Sequence, residues 1–211
     1  MKRILASFLL ICLVSFSLQI KSFAYSIDPE KFISEIVDEA KLILNSSASK
    51  EEKAEKLSVI ALKTVDVKGI GYYTLGKKRK EITPDELKQY EELFQKYFLK
   101  SFTSRLTDYS DPKIAVVSAE KTSEKYTIVK TMLLKTDKKP EVKIDWRVYT
   151  KDPNKPLIRD LIVEGLSLAR TQKEEFASIL STNNNDVNAL FIKLEEFINK
   201  YQMIWYIVIS L

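Results

Sequence analysis

Enzymes draw mostly on histidine, cysteine, activated serine and paired carboxylates, and this chain is poorly supplied with them. It has no histidine, and its one cysteine is Cys12. Cys12 sits within the apolar run ILASFLLICLVSFSL, behind Lys2 and Arg3 and ahead of the small residues Ser22 and Ala24. That layout is a secretory signal peptide over residues 1–24, cleaved after Ala24. A retained anchor is the alternative, although the run is shorter than the roughly 20 residues a spanning helix needs. Ile11 stands where a lipidated cysteine wants a small neighbour. The exported part then holds neither His nor Cys, which excludes Ser/His and Cys/His nucleophile pairs, disulfides and the usual zinc ligand sets. Carboxylates remain for a hydrolase or a calcium site. They are scattered through amphipathic stretches, however, with no D-x-D-x-D-G loop and no glycine-rich phosphate cradle among only four glycines. No cofactor is implied.

What remains is charge and apolar surface. Lys and Arg number 34 against 29 Asp and Glu, a formal +5, and Lys2, Arg3 and Lys21 leave with the signal. The near balance that results gives no support to nucleic-acid binding. The one dense basic run is Lys77, Lys78, Arg79 and Lys80. It suits a solvated loop, or a docking contact with lipid phosphates or an acidic membrane-protein partner.

The elements that must position these residues follow from period and capping. Asp28-Pro29 opens a first helix with Phe32, Ile36, Ala40, Ile43 and Leu44 along one side. Ser49 and Glu52 form a capping box for a second, carrying Leu57, Ile60, Ala61 and Thr64. A loop containing Gly69, Gly71 and Gly76 is expected next. Thr83-Pro84-Asp85-Glu86 then starts a long helix whose stripe is Leu87, Tyr90, Phe94, Phe98, Phe102, Leu106 and Tyr109. From 112 to 164 the period changes to two: EVKIDWRVY alternates Val142, Ile144, Trp146 and Val148 with Lys143, Asp145, Arg147 and Tyr149. With KIAVVSAE, KYTIVKTMLLK and LIRDLIVE this makes four strands, antiparallel because their connections are short. Gly165 marks the change from the last strand to a helix N-capped by Ser167, a corner that needs an unusual φ. One α+β domain over residues 25–202 is predicted, a twisted four-stranded antiparallel sheet packed with helices. Residues 203–211 form an apolar tail too short to span a bilayer. That tail extends the last helix, pairs as a strand or rests on a membrane surface.

The order of YYTLG, then TPDELKQYEELFQKYFLKSFTSRLTDY, then the strands, then EGLSLARTQKEEFASIL resembles the MlaC family of toluene-tolerance auxiliary proteins, periplasmic phospholipid carriers of Gram-negative bacteria. Matching positions are Tyr73, Leu75 and Gly76; Phe94, Phe102, Leu106 and Tyr109; and Gly165, Ser167, Leu168, Phe176 and Ile179. Two features depart from it: the basic run Lys77 to Lys80 replaces an aromatic usual after Leu-Gly, and the tail MIWYIVISL runs past the usual end. The resemblance implies an apolar cavity between helices and sheet that takes acyl chains. It also implies exchange with an inner-membrane ABC lipid transporter complex and an outer-membrane lipoprotein/porin complex, maintaining outer-membrane lipid asymmetry. The side chains expected to face the chains are Phe94, Phe98, Ile128, Met132, Ile144, Trp146 and Val148, positions that equally suit a packed core. Gly165 then turns the last strand into a helix that helps close the cavity. A non-transporting periplasmic module holding a peptide or partner helix in its groove is the second reading, and an enzyme on a similar fold the third.

Overall fold

The computed structural model describes residues 24–107, 112–135 and 140–209. The signal segment 1–23 and Tyr109 lie outside the described residues. Helix α1 spans Pro29–Leu44, and the Asp28 carboxylate accepts from the Lys31 N–H at 3.0 Å. Helix α2 spans Lys50–Thr64 behind the Ser49/Glu52 capping box. The long helix α4 spans Pro84–Leu106 behind a second box, Thr83/Glu86. There the Thr83 backbone N–H, donating to Glu86, holds that carboxyl below its ordinary range.

The glycine-bearing stretch read as a loop is instead helix α3, Val67–Leu75, followed by a 3₁₀ turn at Gly76–Lys80. Asp66 caps α3 by accepting from the Gly69 N–H at 2.9 Å. Gly71 serves contact with α4, Gly69 sits against its cap Asp66, and Gly76, with φ 63°, ends the helix. A Cβ on Gly71 would lie 2.8 Å from Cδ1 of Phe94, so only glycine admits that ring. The Gly71 carbonyl also accepts from the hydroxyls of Tyr90 at 3.0 Å and Thr74 at 2.9 Å.

The sheet is open and antiparallel, in the order β1 (Ile114–Ser123), β2 (Tyr126–Leu133), β3 (Val142–Tyr149), β4 (Leu157–Val163), β5 (Leu166–Ser167). The fifth strand corrects the expected four. Glu164 (φ 50°) and Gly165 (φ 83°) form a two-residue turn that pairs Val163 with Leu166 before the chain enters α5, Leu168–Thr182. Two successive positive φ values are what a tight hairpin of this kind demands. Gly165 therefore turns strand onto strand, and the helix starts only after β5. Ser167 caps α5, accepting from the Arg170 N–H at 3.1 Å. Helix α6 spans Val187–Ile209, so the tail through Ile209 continues a helix. Among the described residues no helix is long and apolar enough to cross a membrane.

The apolar interior is divided. One core joins α1, α2 and the sheet through Phe32, Ile33, Leu57, Ile60, Val129, Val148 and Ile158. The other joins α3, α4, α5 and α6 through Ile70, Tyr90, Phe94, Phe176, Leu190 and Leu194. Val65 touches both. Gly71→Ala tests this packing: the overpacking cost, about 1–3 kcal/mol, should exceed the roughly 1 kcal/mol that alanine gains over glycine inside a helix. Urea denaturation should show net destabilisation, and a variant more stable than the parent would refute the close α3–α4 contact.

Candidate functional site

Helix α4 reaches from one core to the other. Tyr90, Leu93 and Phe94 belong to the core shared with α3, α5 and α6, whereas Leu106, at its end, packs against the core under the sheet. Between these anchors Phe98, Leu99 and Phe102 are half-buried, with the rings of Phe98 and Phe102 stacked at 6.0 Å and 7°. The helices in close backbone contact with the sheet, among the described residues, are α1, α3 and α5, while α4 lies against α2, α3 and α6.

The strand register sorts the sheet residues. Val129 pairs with Trp146 and Thr131 with Ile144, while Trp146 in turn pairs with Leu161 and Ile144 with Val163. These share the helix-covered face. At one end of it Val129, Val148 and Ile158 are sealed by α1 and α2, whereas Ile144, Trp146, Leu161 and Val163 are half-buried. The Trp146 indole N–H donates to Thr131 Oγ1 at 2.9 Å, and that hydroxyl donates to the Ile144 carbonyl at 2.9 Å. The indole is thus fixed in orientation with its polar atom satisfied, and its ring contributes apolar surface.

The seven residues expected to face acyl chains are consequently not one surface. Ile144 and Trp146 are half-buried on the helix-facing side of the sheet, whereas Phe98 is half-buried against the core of α3 to α6. Phe94 and Val148 are 2% and 0% exposed and belong to the two cores. Ile128 pairs with Arg147 and Met132 with Lys143, so both lie on the opposite, outer face of the sheet. The signal was present in Lys130, which shares the parity of Ile128 and Met132 and is exposed. Leu99, Phe102, Leu161 and Val163 are the half-buried positions that the reading by residue type left out.

The basic run is the 3₁₀ turn between α3 and α4. Lys78 is drawn inward to Glu81 at 3.4 Å with 18% of its side chain exposed, while Lys77, Arg79 and Lys80 are exposed, Arg79 over the Tyr72 ring at 5.1 Å. No group of three or more His, Cys, Asp or Glu among the described residues is placed to hold a metal.

The family model described as MlaC protein matches residues 34–196, from within α1 to within α6. The chain belongs to the MlaC family. A solved structure of a phospholipid-binding protein from Ralstonia solanacearum, in complex with a phospholipid, superposes with a TM-score of 0.68 at 18% identity, over 80% of this chain and 95% of that one. The fold is therefore that of an MlaC-like α+β protein with an open antiparallel sheet.

The burial pattern gives a contrast of variants. Glutamate at Val148 or Phe94 puts an unpaired charge into a dry core, a cost of several kcal/mol against a total stability of roughly 5–15 kcal/mol. Val148→Glu and Phe94→Glu should unfold or lose most of their denaturation midpoint, whereas Trp146→Glu, at a half-buried rather than buried position, should retain the parent circular dichroism spectrum. The reverse ranking would place the packed core elsewhere.

Proposed function

We propose that this MlaC-family protein is a periplasmic phospholipid carrier that holds acyl chains between the middle of α4 and the helix-facing side of the sheet. The observation that carries this reading is the set of half-buried apolar side chains, Phe98, Leu99 and Phe102 on α4 and Ile144, Trp146, Leu161 and Val163 on β3 and β4. The phospholipid in the Ralstonia solanacearum protein supports the choice of ligand. Carriage requires no nucleophile, metal or cofactor, and MlaC proteins are non-catalytic, in keeping with an exported part without His or Cys.

The path of the lipid is between outer and inner membranes, with an outer-membrane lipoprotein/porin complex and an inner-membrane ABC transporter complex as the exchange partners. Export by a leader cleaved after Ala24 delivers the chain to that compartment. The exposed cations Lys77, Arg79 and Lys80 supply long-range attraction toward anionic membranes or acidic partner surfaces.

Solvent extraction of the purified protein followed by mass spectrometry should recover phospholipid in stoichiometric amount, and Trp146→Glu, still folded, should lose most of it because a charge cannot share a dry groove with acyl chains. Protein that is empty when purified from its native compartment, or a Trp146→Glu variant with full occupancy, would overturn the groove assignment.

Replacing Lys77, Lys78, Arg79 and Lys80 with serine should leave lipid occupancy near normal. In a fluorescent-lipid assay it should slow transfer to anionic vesicles, most at low salt, since the screening length is about 10 Å at 0.1 M. Equal rates at every ionic strength would return the run to a merely solvated surface.

A further inference from the structure

The outer face of the sheet carries a second concavity, of about 370 Å³, lined by Gly69, Ile70, Tyr72 and Tyr73 of α3, Arg79 of the 3₁₀ turn, Tyr126, Arg147, Arg159 and Asp160 of the sheet, and Ala169 of α5. Arg147 pairs with both Ile128 and Asp160, which sets this cup on the side of the sheet away from Trp146 and Ile144. A β-bulge is the reason it holds two arginines. The register shifts between Arg147 and Val148, so Arg159 has no partner on β3, and its guanidinium lies over the Tyr149 ring at 3.5 Å.

The cup's hydrogen-bonding capacity is unevenly spent. Asp66 accepts from the Gly69 N–H at 2.9 Å and from Arg159 Nε at 2.7 Å. Asp160, with 2% of its side chain exposed, accepts from Ser167 Oγ at 2.6 Å and from the Ala169 N–H at 3.0 Å. Both carboxylates are thus committed to holding α3, α5 and Arg159 in place. Two guanidiniums are not committed. Arg147, 45% exposed, has one ion pair, a 3.7 Å approach to Asp160, and makes no hydrogen bond among the described residues. Arg79 has only the Tyr72 ring, at 5.1 Å. Lys173 stands over Tyr73 at 4.8 Å, adding positive potential at the rim, whereas Lys68, over Tyr72 at 5.4 Å, is paired with Glu91 at 2.8 Å.

We propose that this arginine–tyrosine cup is a binding site for a phosphate ester, separate from the acyl groove. Each guanidinium offers a planar fork of N–H donors. A carboxylate, with two oxygens in one plane, satisfies one fork; a tetrahedral phosphate with three free oxygens satisfies two forks that converge from different elements, as Arg79 and Arg147 do. The volume falls in the roughly 300–1,000 Å³ range of small-molecule pockets, which leaves room for an organic moiety beside the tyrosine rings. The ester is a monoester, either the exposed phosphate of a phosphatidic acid met at a membrane surface or a free soluble molecule. Neither source depends on lipid being held on the other side of the sheet, so this site stands or falls apart from the carrier reading.

The test is calorimetric titration of the full mature chain with sn-glycerol 3-phosphate, with acetate and a glutamate-rich peptide as carboxylate comparators. Saturable binding of glycerol 3-phosphate is expected, weakened about tenfold or more in Arg147→Gln and Arg79→Gln, as for the loss of a charge-assisted hydrogen-bond pair. It should be unchanged in Lys193→Gln, an exposed cation on α6. Arg79→Gln touches no buried group, so it remains decisive should Arg147→Gln disturb Asp160. Co-sedimentation with phosphatidylcholine vesicles with and without phosphatidic acid assigns the source. Vesicle binding that needs Arg79 and Arg147 marks a headgroup site, and binding of glycerol 3-phosphate without vesicle binding marks a soluble ligand. The proposal is overturned by absence of saturable binding, by an equal loss in Lys193→Gln, or by tighter binding of the glutamate-rich peptide, which would make the cup a docking site for an acidic protein segment.

Discussion

A chain that must keep apolar surface available inside a stable fold cannot let that surface collapse on itself, and here the separation of the two cores prevents the collapse. The core of α1, α2 and the sheet secures one end of the sheet, and the core of α3 to α6 holds the first half of α4. Each supplies its own close packing. Helix α4 is fixed at its start by a capping box and along its body by Gly71, whose missing Cβ admits Phe94 and whose carbonyl takes two hydroxyls. Phe98 packs against the edge of the second core, while Leu99 and Phe102 are half-buried along the same helix.

The same economy governs the polar groups. Asp66 and Asp160 each cap a helix and each bind an arginine of the outer face. Burying a carboxylate as deeply as Asp160 is costly unless its oxygens are hydrogen-bonded, and Ser167 Oγ and the Ala169 N–H supply those bonds. The start of α5 is thereby welded to β4 at the point where the β4–β5 hairpin ends. One side of the sheet is left to apolar contact and the other to guanidinium chemistry.

Local chemistry was legible in the sequence and distant contact was not. The caps at Asp28, Ser49, Thr83 and Ser167 stand where capping residues and prolines put them, because a cap is settled within one turn. The alternation in β3 reads its two faces correctly, since Lys143 and Arg147 sit among apolar neighbours on an outward parity. In β2 the same logic misleads, because the inward residues include Thr127 and Thr131, and Thr131 is buried to receive the Trp146 indole from another strand. Helix α3 reads as a loop because Gly71 answers to Phe94, more than twenty positions away. β5 is too short to carry a period, and the arginine cup joins residues from β3, β4 and a turn that no spacing connects.

Half-burial, rather than a deep sealed cavity, is what the energetics of carriage favour. A two-chain lipid has on the order of 30 methylenes, worth roughly 24 kcal/mol when withdrawn from water at ~0.8 kcal/mol each. That exceeds the roughly 18–21 kcal/mol at which non-covalent affinities saturate, so a site that recovered all of it would never release its load to water. Release to a bilayer is another matter, since the chains leave one apolar surrounding for another and the two transfer terms nearly cancel. The difference that sets direction is then small, and it is decided by how much chain surface stays uncovered in the protein. In the groove proposed above, walls partly open on α4, β3 and β4 would keep that difference within reach of modest contacts made on docking, and cations outside it would act on encounter without changing the grip on the chains.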